Sequence, residues 1–319
     1  NVLPRLKDDP KREASIAVHR PSLYLGEGFL QDPELLTTLR ERILKDGLST
    51  SQLNRYANCP YQFFCSYVLE LQPQEEASLE LDARDRGIIL HNVLQEFWSN
   101  YLEGPVPTVD VAQAELEGLV REEYFARGET PAPKLIRSLR WFVRQDLERV
   151  ESGFRPRFLE RWFQGLNIET SAGPVQIRGQ IDRIDVSPQG EYVLYDYKTG
   201  TTPSVQDILR GKDLQIAIYL LAAQSILPDA RNVGVAYYAL QDAKLVGVFH
   251  MDSHRDLMVR KGRGCLEDEE FTGLISIFEK IIQTYLEGIF RGDFPIEPAS
   301  SQICRFCPFQ GICRKEVGV

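Results

Sequence analysis

The stretch from Val175 to Gly200, VQIRGQIDRIDVSPQGEYVLYDYKTG, constrains the fold of this chain more than any other. It reads as two β-strands rich in branched and aromatic residues. Ser187-Pro188-Gln189-Gly190 joins them as a turn, where proline presets φ and glycine accepts a positive one. The second strand, Tyr192 to Lys198, carries two polar residues that a buried strand normally avoids, Asp196 and Lys198. Strand side chains alternate faces, so these two point the same way, about 6.5–7 Å apart along the backbone. Tyr195 and Tyr197 take the other face. A carboxylate and an ammonium at the end of an apolar strand can hold a divalent cation and a water, with Asp182 as a second carboxylate. Such a set suits phosphodiester chemistry.

At 319 residues the chain accommodates one large domain or two ordinary ones. Its 43% hydrophobic and 26% charged residues exclude the disordered and fibrous classes. No apolar run reaches the length of a membrane span, and the N-terminus, NVLPRLKDDPKREAS, lacks the apolar core of a signal peptide. A cytoplasmic protein without a membrane partner is expected. The chain starts at Asn1 rather than Met, as a piece of something larger would.

The net charge of −9 argues against a nucleic-acid partner only in total. Between Lys134 and Phe163 eight basic residues (Lys134, Arg137, Arg140, Arg144, Arg149, Arg155, Arg157, Arg161) face four acidic ones. A second basic run is Arg255, Arg260, Lys261 and Arg263, while acids gather at Glu75 to Asp85 and Glu267 to Glu270. A solvated helix face explains such a run as readily as DNA contact does.

Residues 1 to 48 read as an N-terminal extension, with a helical pattern from Pro33 to Leu44. From Ser49 to Leu71 the pattern is a Ser-capped helix, a break at Cys59-Pro60 and a second, aromatic-rich helix. Gly87 opens a helix whose apolar face includes Leu90, Leu94 and Trp98, with His91 at its edge. A lone histidine there is more often structural than a ligand. An insert over about 104–155 carries two helices, Val109–Ala126 and Lys134–Glu151, parted by a Pro-rich turn. Strands follow from Phe158. Beyond the organising pair, Ser204 to Leu227 reads as one helix, with Gln215 and Tyr219 one turn apart. Two strands, Val233–Leu240 and Lys244–His250, and a long helix, Phe271–Phe290, complete the pattern. No GxxxxGK[ST] phosphate loop occurs, which excludes a motor of that type.

Four of the six cysteines form a pattern: Cys59, then Cys304, Cys307 and Cys313 in a terminal CxxCx5C. Short loops let neighbouring thiolates converge on one centre. The plain alternative is a set of buried free cysteines, against which the prolines directly after Cys59 and Cys307 weigh. Zinc is compatible, but structural zinc sites commonly use two short-spaced pairs, and one distant cysteine plus CxxCx5C suits an iron–sulfur cluster better. Such a centre ties segments 245 residues apart, a closure comparable to a disulfide's ~3–5 kcal/mol before metal affinity is counted. Cys65 and Cys265 are expected to be buried and inert.

GQIDRID, YDYKTG and QIAIYLLA, with RGIILHNVLQEF upstream, resemble the RecB-family branch of the PD-(D/E)XK nucleases. Cys59 and the cysteine tail narrow the likeness to its iron–sulfur members, and the helical insert makes it most similar to the C-terminal nuclease domain of AddB-type helicase–nuclease subunits. The resemblance runs from Ser49 to Arg314. It implies an α/β fold, a restriction-endonuclease-like mixed β-sheet flanked by helices, with the nuclease domain over 49–319. His91, Asp182, Asp196 and the backbone carbonyl of Tyr197 match the family's ligands for Mg²⁺ or Mn²⁺. Lys198 matches the lysine that orients or deprotonates the attacking water, and Gln215 and Tyr219 match the motif beside the site. Glu160 fits a recurring acidic position and is given a supporting role. Asp185 lies at an odd offset from Asp182, so a regular strand turns it to the opposite face and into a salt bridge with an arginine. A parity shift between Ile181 and Ile184 leaves room for a bulge there.

The expected activity is metal-dependent cleavage of DNA, as a single-strand exonuclease favouring 5′ ends. A [4Fe-4S] cluster is the expected cofactor of Cys59, Cys304, Cys307 and Cys313. DNA is the expected partner, beside a helicase subunit or an upstream helicase-like region. The rival from another class is a silent iron–sulfur DNA-binding module serving a helicase; a zinc-stapled structural domain is the third reading.

Overall fold

The structure, a computed structural model, describes residues 28–72, 81–242, 244–253, 257 and 264–313. The second basic run, residues 1–27, Ala243 and the acids Glu75, Glu76 and Glu80 lie outside the described residues.

A seven-stranded mixed sheet forms the centre, in the α/β arrangement expected. Its strands are β1 (Leu48–Ser49), β2 (Arg155–Ile168), β3 (Val175–Val186), β4 (Glu191–Lys198), β5 (Arg231–Ala239), β6 (Lys244–His250) and β7 (Cys265–Leu266). The order is β1-β3-β4-β5-β6-β7, with β2 antiparallel along the other edge of β3. The β3–β4 hairpin turns through residues 187–190, where Gly190 takes φ +79°. β4 and β5 then pair in parallel, so a crossover must join them.

That crossover corrects the single helix expected over Ser204–Leu227. It is two helices, α7 (Val205–Leu209) and α8 (Gln215–Ile226). Gly211 stands between them at φ +62°, a left-handed conformation that ends a helix cheaply only at glycine. A Cβ there would lie 2.6 Å from Ile281 Cδ1, so the long helix α9 (Asp268–Arg291) leaves no room for a side chain at the break. As a result Gln215 opens a new helix instead of sitting inside an old one.

Helices cover both faces. On one lie α1 (Pro33–Asp46), α2 (Thr50–Asn58), α8 and α9, packed on Ile177, Ile181, Ile184, Leu194 and Val235. Ser49 caps α2 through a capping box with Gln52, and Cys59 breaks it before α3 (Pro60–Phe63) and a π-turn, as the sequence predicts. On the other face lie α4 (Ala83–Ser99), α5 (Val109–Phe125) and α6 (Pro133–Glu151), packed on Val193, Tyr195, Tyr197 and Tyr238. The α4 helix starts four residues before Gly87, because the Asp82 carboxylate accepts from the Asp85 amide at 2.7 Å. Among the described residues no helix is long and apolar enough to cross a membrane.

Candidate active site

The site lies where β3 and β4 part. Their ladder closes at Arg183↔Tyr195, and one step on the Tyr197 amide donates to Asp182 Oδ2 at 2.7 Å instead of to a backbone carbonyl. Asp182 and Asp196 thus face each other across the opening strands. Ile181 and Ile184 both point into the same apolar layer, so side-chain parity shifts between them. The opposing residue on β2, Glu160, adopts φ +46°, costly for a residue with a Cβ and found where a strand re-aims a side chain. This distortion brings Asp182 and Glu160 to one point.

His91 arrives from α4. Its Nδ1 lies 3.4 Å from Glu160 Oε1 and 3.5 Å from Asp182 Oδ2, and its Nε2 is 3.3 Å from the Tyr197 carbonyl oxygen. One ligand atom each from His91, Glu160 and Asp182 falls within 4.8 Å of the others. Burial pulls the His91 pKa down, but the Glu160 hydrogen bond and the Asp182 and Asp196 charges outweigh it and raise it to about 9. Burial and the neighbouring Asp196 push Asp182 well above the usual carboxylate range.

The second half of the site is a bonded chain. Lys198 Nζ lies 2.7 Å from Asp196 Oδ2 and donates to Gln215 Oε1 at 2.7 Å. Gln215 Nε2 donates to Asp196 Oδ1 at 2.5 Å and to the Tyr219 hydroxyl at 2.9 Å. Gln215 can reach both because it opens α8, where Asp213 Oδ1 accepts from its amide at 3.1 Å. Asn54 Oδ1 accepts from the Leu214 amide at 2.9 Å, and Tyr237 donates its hydroxyl proton to Asp213. Burial raises the Asp196 carboxyl in spite of the lysine beside it.

His91, Asp182, Asp196, the Tyr197 carbonyl, Lys198, Gln215 and Tyr219 are therefore gathered in one place. Glu160, expected as a supporting acid, stands level with His91 and Asp182 in the convergent group. Asp213 and Asn54 carry no motif of their own in the sequence; the available signal is an aspartate two residues before Gln215, whose carboxylate takes up the first amide of α8. Tyr195 and Tyr197 point to the opposite face, and Asp185 goes there too, bonded through both oxygens to Arg183 at 2.5 and 2.6 Å. Of the basic run on α6, Arg149 is buried against Asp146 and Tyr238, while Lys134, Arg137, Arg140 and Arg144 are exposed.

The donor set fits a hard divalent cation. Two carboxylates and an imidazole converge, and the buried Asp196 Oδ2 stands beside them with the Lys198 ammonium 2.7 Å away. The cysteines also form a fitting set. Cys59, Cys304, Cys307 and Cys313 line one cavity as free thiols, with Gln62 and Gln310 beside them. Backbone amides of Gln62 and Tyr61 point at the Cys59 sulfur. The Ala299 amide donates to the Asn58 carbonyl at 2.8 Å, so the tail is already anchored beside Cys59. Cys65 and Cys265 are buried, as expected.

Comparison with known proteins points to one family. An ATP-dependent helicase/deoxyribonuclease subunit of Thermoanaerobacter sp. (strain X514) is 24% identical over 86% of this chain and 30% of its own length. The corresponding protein of Moorella thermoacetica, of the same name, is 25% identical over 97% of this chain and 33% of its own. The chain thus spans about a third of the length of the curated relatives it matches. Among solved structures, SSO0001 superposes with a TM-score of 0.36 at 15% identity, over 88% of this chain and 94% of that one. The model of the PD-(D/E)XK nuclease superfamily matches residues 47–314, a span that holds both the carboxylate site and all four clustered cysteines. The chain belongs to the PD-(D/E)XK nuclease superfamily.

Proposed function

We propose that this nuclease is a metal-dependent deoxyribonuclease, acting on single strands from their ends and favouring 5′ ends, in DNA end processing and recombinational repair. The observation that carries this reading is the meeting of His91, Glu160 and Asp182 within 4.8 Å beside the Lys198–Asp196–Gln215 chain. The relatives named as helicase/deoxyribonuclease subunits support DNA as the substrate and a helicase subunit or helicase-like region as the partner.

A divalent cation, Mg²⁺ or Mn²⁺, would be held by His91, Glu160, Asp182, Asp196 and the Tyr197 carbonyl; it supplies charge neutralisation at the phosphate and acidifies water. The chain's own groups do the positioning. Lys198 places a positive charge beside Asp196, where it orients the attacking water and meets charge that develops on the phosphate oxygens. Gln215 holds carboxylate and ammonium in fixed relation through its two amide ends. Tyr219, bonded to Gln215, limits that side chain to one orientation.

Cys59, Cys304, Cys307 and Cys313 would hold a [4Fe-4S] cluster that joins the start of the domain to its tail. The test is digestion of end-labelled single-stranded DNA by the purified chain with Mg²⁺, Mn²⁺ or chelator. Metal-dependent release of nucleotides from an end supports the reading. Tight DNA binding without cleavage under every metal would overturn it in favour of a silent binding module.

A further inference from the structure

A second groove opens beside the reaction centre. Arg55, Asn58 and Gln62 line it together with Arg84 at the start of α4 and Ile303 and Phe306 of the cysteine tail. Gln215 also lines it, and the same side chain bonds Asp196 and Lys198. The groove therefore runs into the reaction centre. Asp82 also lies on its rim, with one carboxylate oxygen taken up in capping α4.

Phe306 is the unexplained residue of this groove. It is 82% exposed, whereas Phe309, three residues on, is 5% exposed. Cys304 and Cys307 flank Phe306, so a centre bound by both would fix its backbone on either side. The Arg305 guanidinium sits 5.7 Å from the ring centroid. An aromatic face beside cations, in a groove lined for the rest mainly by amides and hydroxyls, together with Asp82, Ile303 and Pro308, is the chemistry of unpaired nucleic acid. Bases stack on the ring and phosphates meet the guanidinium groups. An apolar peptide would find no continuous apolar wall there.

The geometry points to this groove as the track of the unpaired strand next to the scissile phosphate, with a base stacked on Phe306 and phosphates met by Arg84 and Arg55. The assignment rests on the nucleic-acid substrate proposed above. It gives the cysteine tail a role in holding substrate in addition to closing the domain.

The test is binding and photocrosslinking, both in chelator so that cleavage plays no part. The probe is a fluorescent oligothymidylate of about 12 nucleotides, within the ~4–16 that one compact site covers. A 5-iododeoxyuridine version should crosslink to the peptide containing Phe306. Phe306→Leu keeps the apolar bulk without the π face, and should weaken binding roughly 10-fold, since stacking contributes ~1–3 kcal/mol per base. Phe306→Tyr should restore it. Arg84→Gln, outside the cysteine tail, should lower the salt dependence of binding by about one phosphate contact, a slope change near ~0.7.

Wild-type affinity in both Phe306→Leu and Arg84→Gln, or crosslinks confined to other surfaces, would overturn the assignment. A protein partner competing for the groove without any crosslink to the oligonucleotide would do the same. The two readings fail separately. Crosslinking at Phe306 without cleavage in any metal sinks the enzyme and leaves the track, and cleavage with undiminished affinity in both Phe306→Leu and Arg84→Gln does the reverse.

Discussion

The Asp182 carboxylate accepts the Tyr197 backbone amide at 2.7 Å, just past the last paired residues of their two strands. A side chain here replaces a rung of the sheet. The same Tyr197 turns its carbonyl to His91 at 3.3 Å, so one residue of backbone couples the two candidate ligands. Removing Asp182 would leave a buried amide without its acceptor as well as take away a candidate ligand.

Asp182→Ala and Asp196→Ala should each abolish cleavage, because charge neutralisation at the phosphate contributes several kcal/mol to the transition state. Lys198→Ala should lose roughly 10²–10⁴-fold, the range of a positioned proton-transfer group, and leave a trace. Single-turnover digestion of end-labelled DNA by each variant measures this. A fully active Asp196→Ala would end the metal-site reading.

Metal preference follows from the imidazole. Mn²⁺ should support cleavage at least as well as Mg²⁺, and Ca²⁺ should bind without supporting turnover. Glu160→Gln should weaken Mn²⁺ binding in calorimetry, as the convergence of Glu160 with His91 and Asp182 requires. Unchanged affinity in that variant would remove Glu160 from the ligand set.

The metal-free protein should lose stability as pH rises from about 6.5 to 9. The His91 pKa is raised from 6.5 to about 9, so its contribution is complete below the unfolded value and disappears as pH passes the folded one. Asp182, also raised by burial and Asp196, acts with the same sign, since its ionised form is disfavoured in the fold. Mn²⁺ should therefore raise the melting temperature more at pH 9 than at pH 6. Calorimetry in buffers of different ionisation enthalpy should show proton release on binding near neutrality. A melting temperature independent of pH in chelator would count against the cluster of charges.

On the opposite face Arg183 is fully buried between Asp146 and Asp185, with its guanidinium 4.6 Å from the Trp98 ring centroid. Arg183→Met should cost about 3–5 kcal/mol, because it leaves the buried Asp185 without its ion-pair partner and Asp146 with Arg149 alone. Urea midpoints measure the loss. Adding Asp146→Leu, Asp185→Leu and Arg149→Met, since Arg149 shares Asp146, should recover most of it, because a packed apolar replacement of a whole buried ion cluster is close to neutral.

The purified chain should be brown, with broad absorbance near ~400 nm, the mark of an iron–sulfur centre. Cys59→Ser should bleach it and lower stability by roughly 3–5 kcal/mol, since the centre closes a loop of about 250 residues. A colourless protein containing stoichiometric zinc would favour the zinc staple instead.

Much of this could be read from local pattern. The hairpin turn at residues 187–190, the Ser49 cap and the insert helices depend on nearby residues, and the structure places them within a residue or two of their expected limits. Period-two alternation also separated Asp196 and Lys198 from Tyr195 and Tyr197, and turned Asp185 towards an arginine. What chain order could not convey was how Ile281 packs so close to Gly211 that only glycine fits at the break before Gln215, or how the strained Glu160 meets Asp182 across β2 and β3. The sequence by itself determined which side chains could do chemistry, because strand and helix periods and turn residues act over a few positions. Only the tertiary structure decided which of them share a cation site and which end as buried ion pairs, because that depends on register, bulges and packing between segments a hundred or more residues apart.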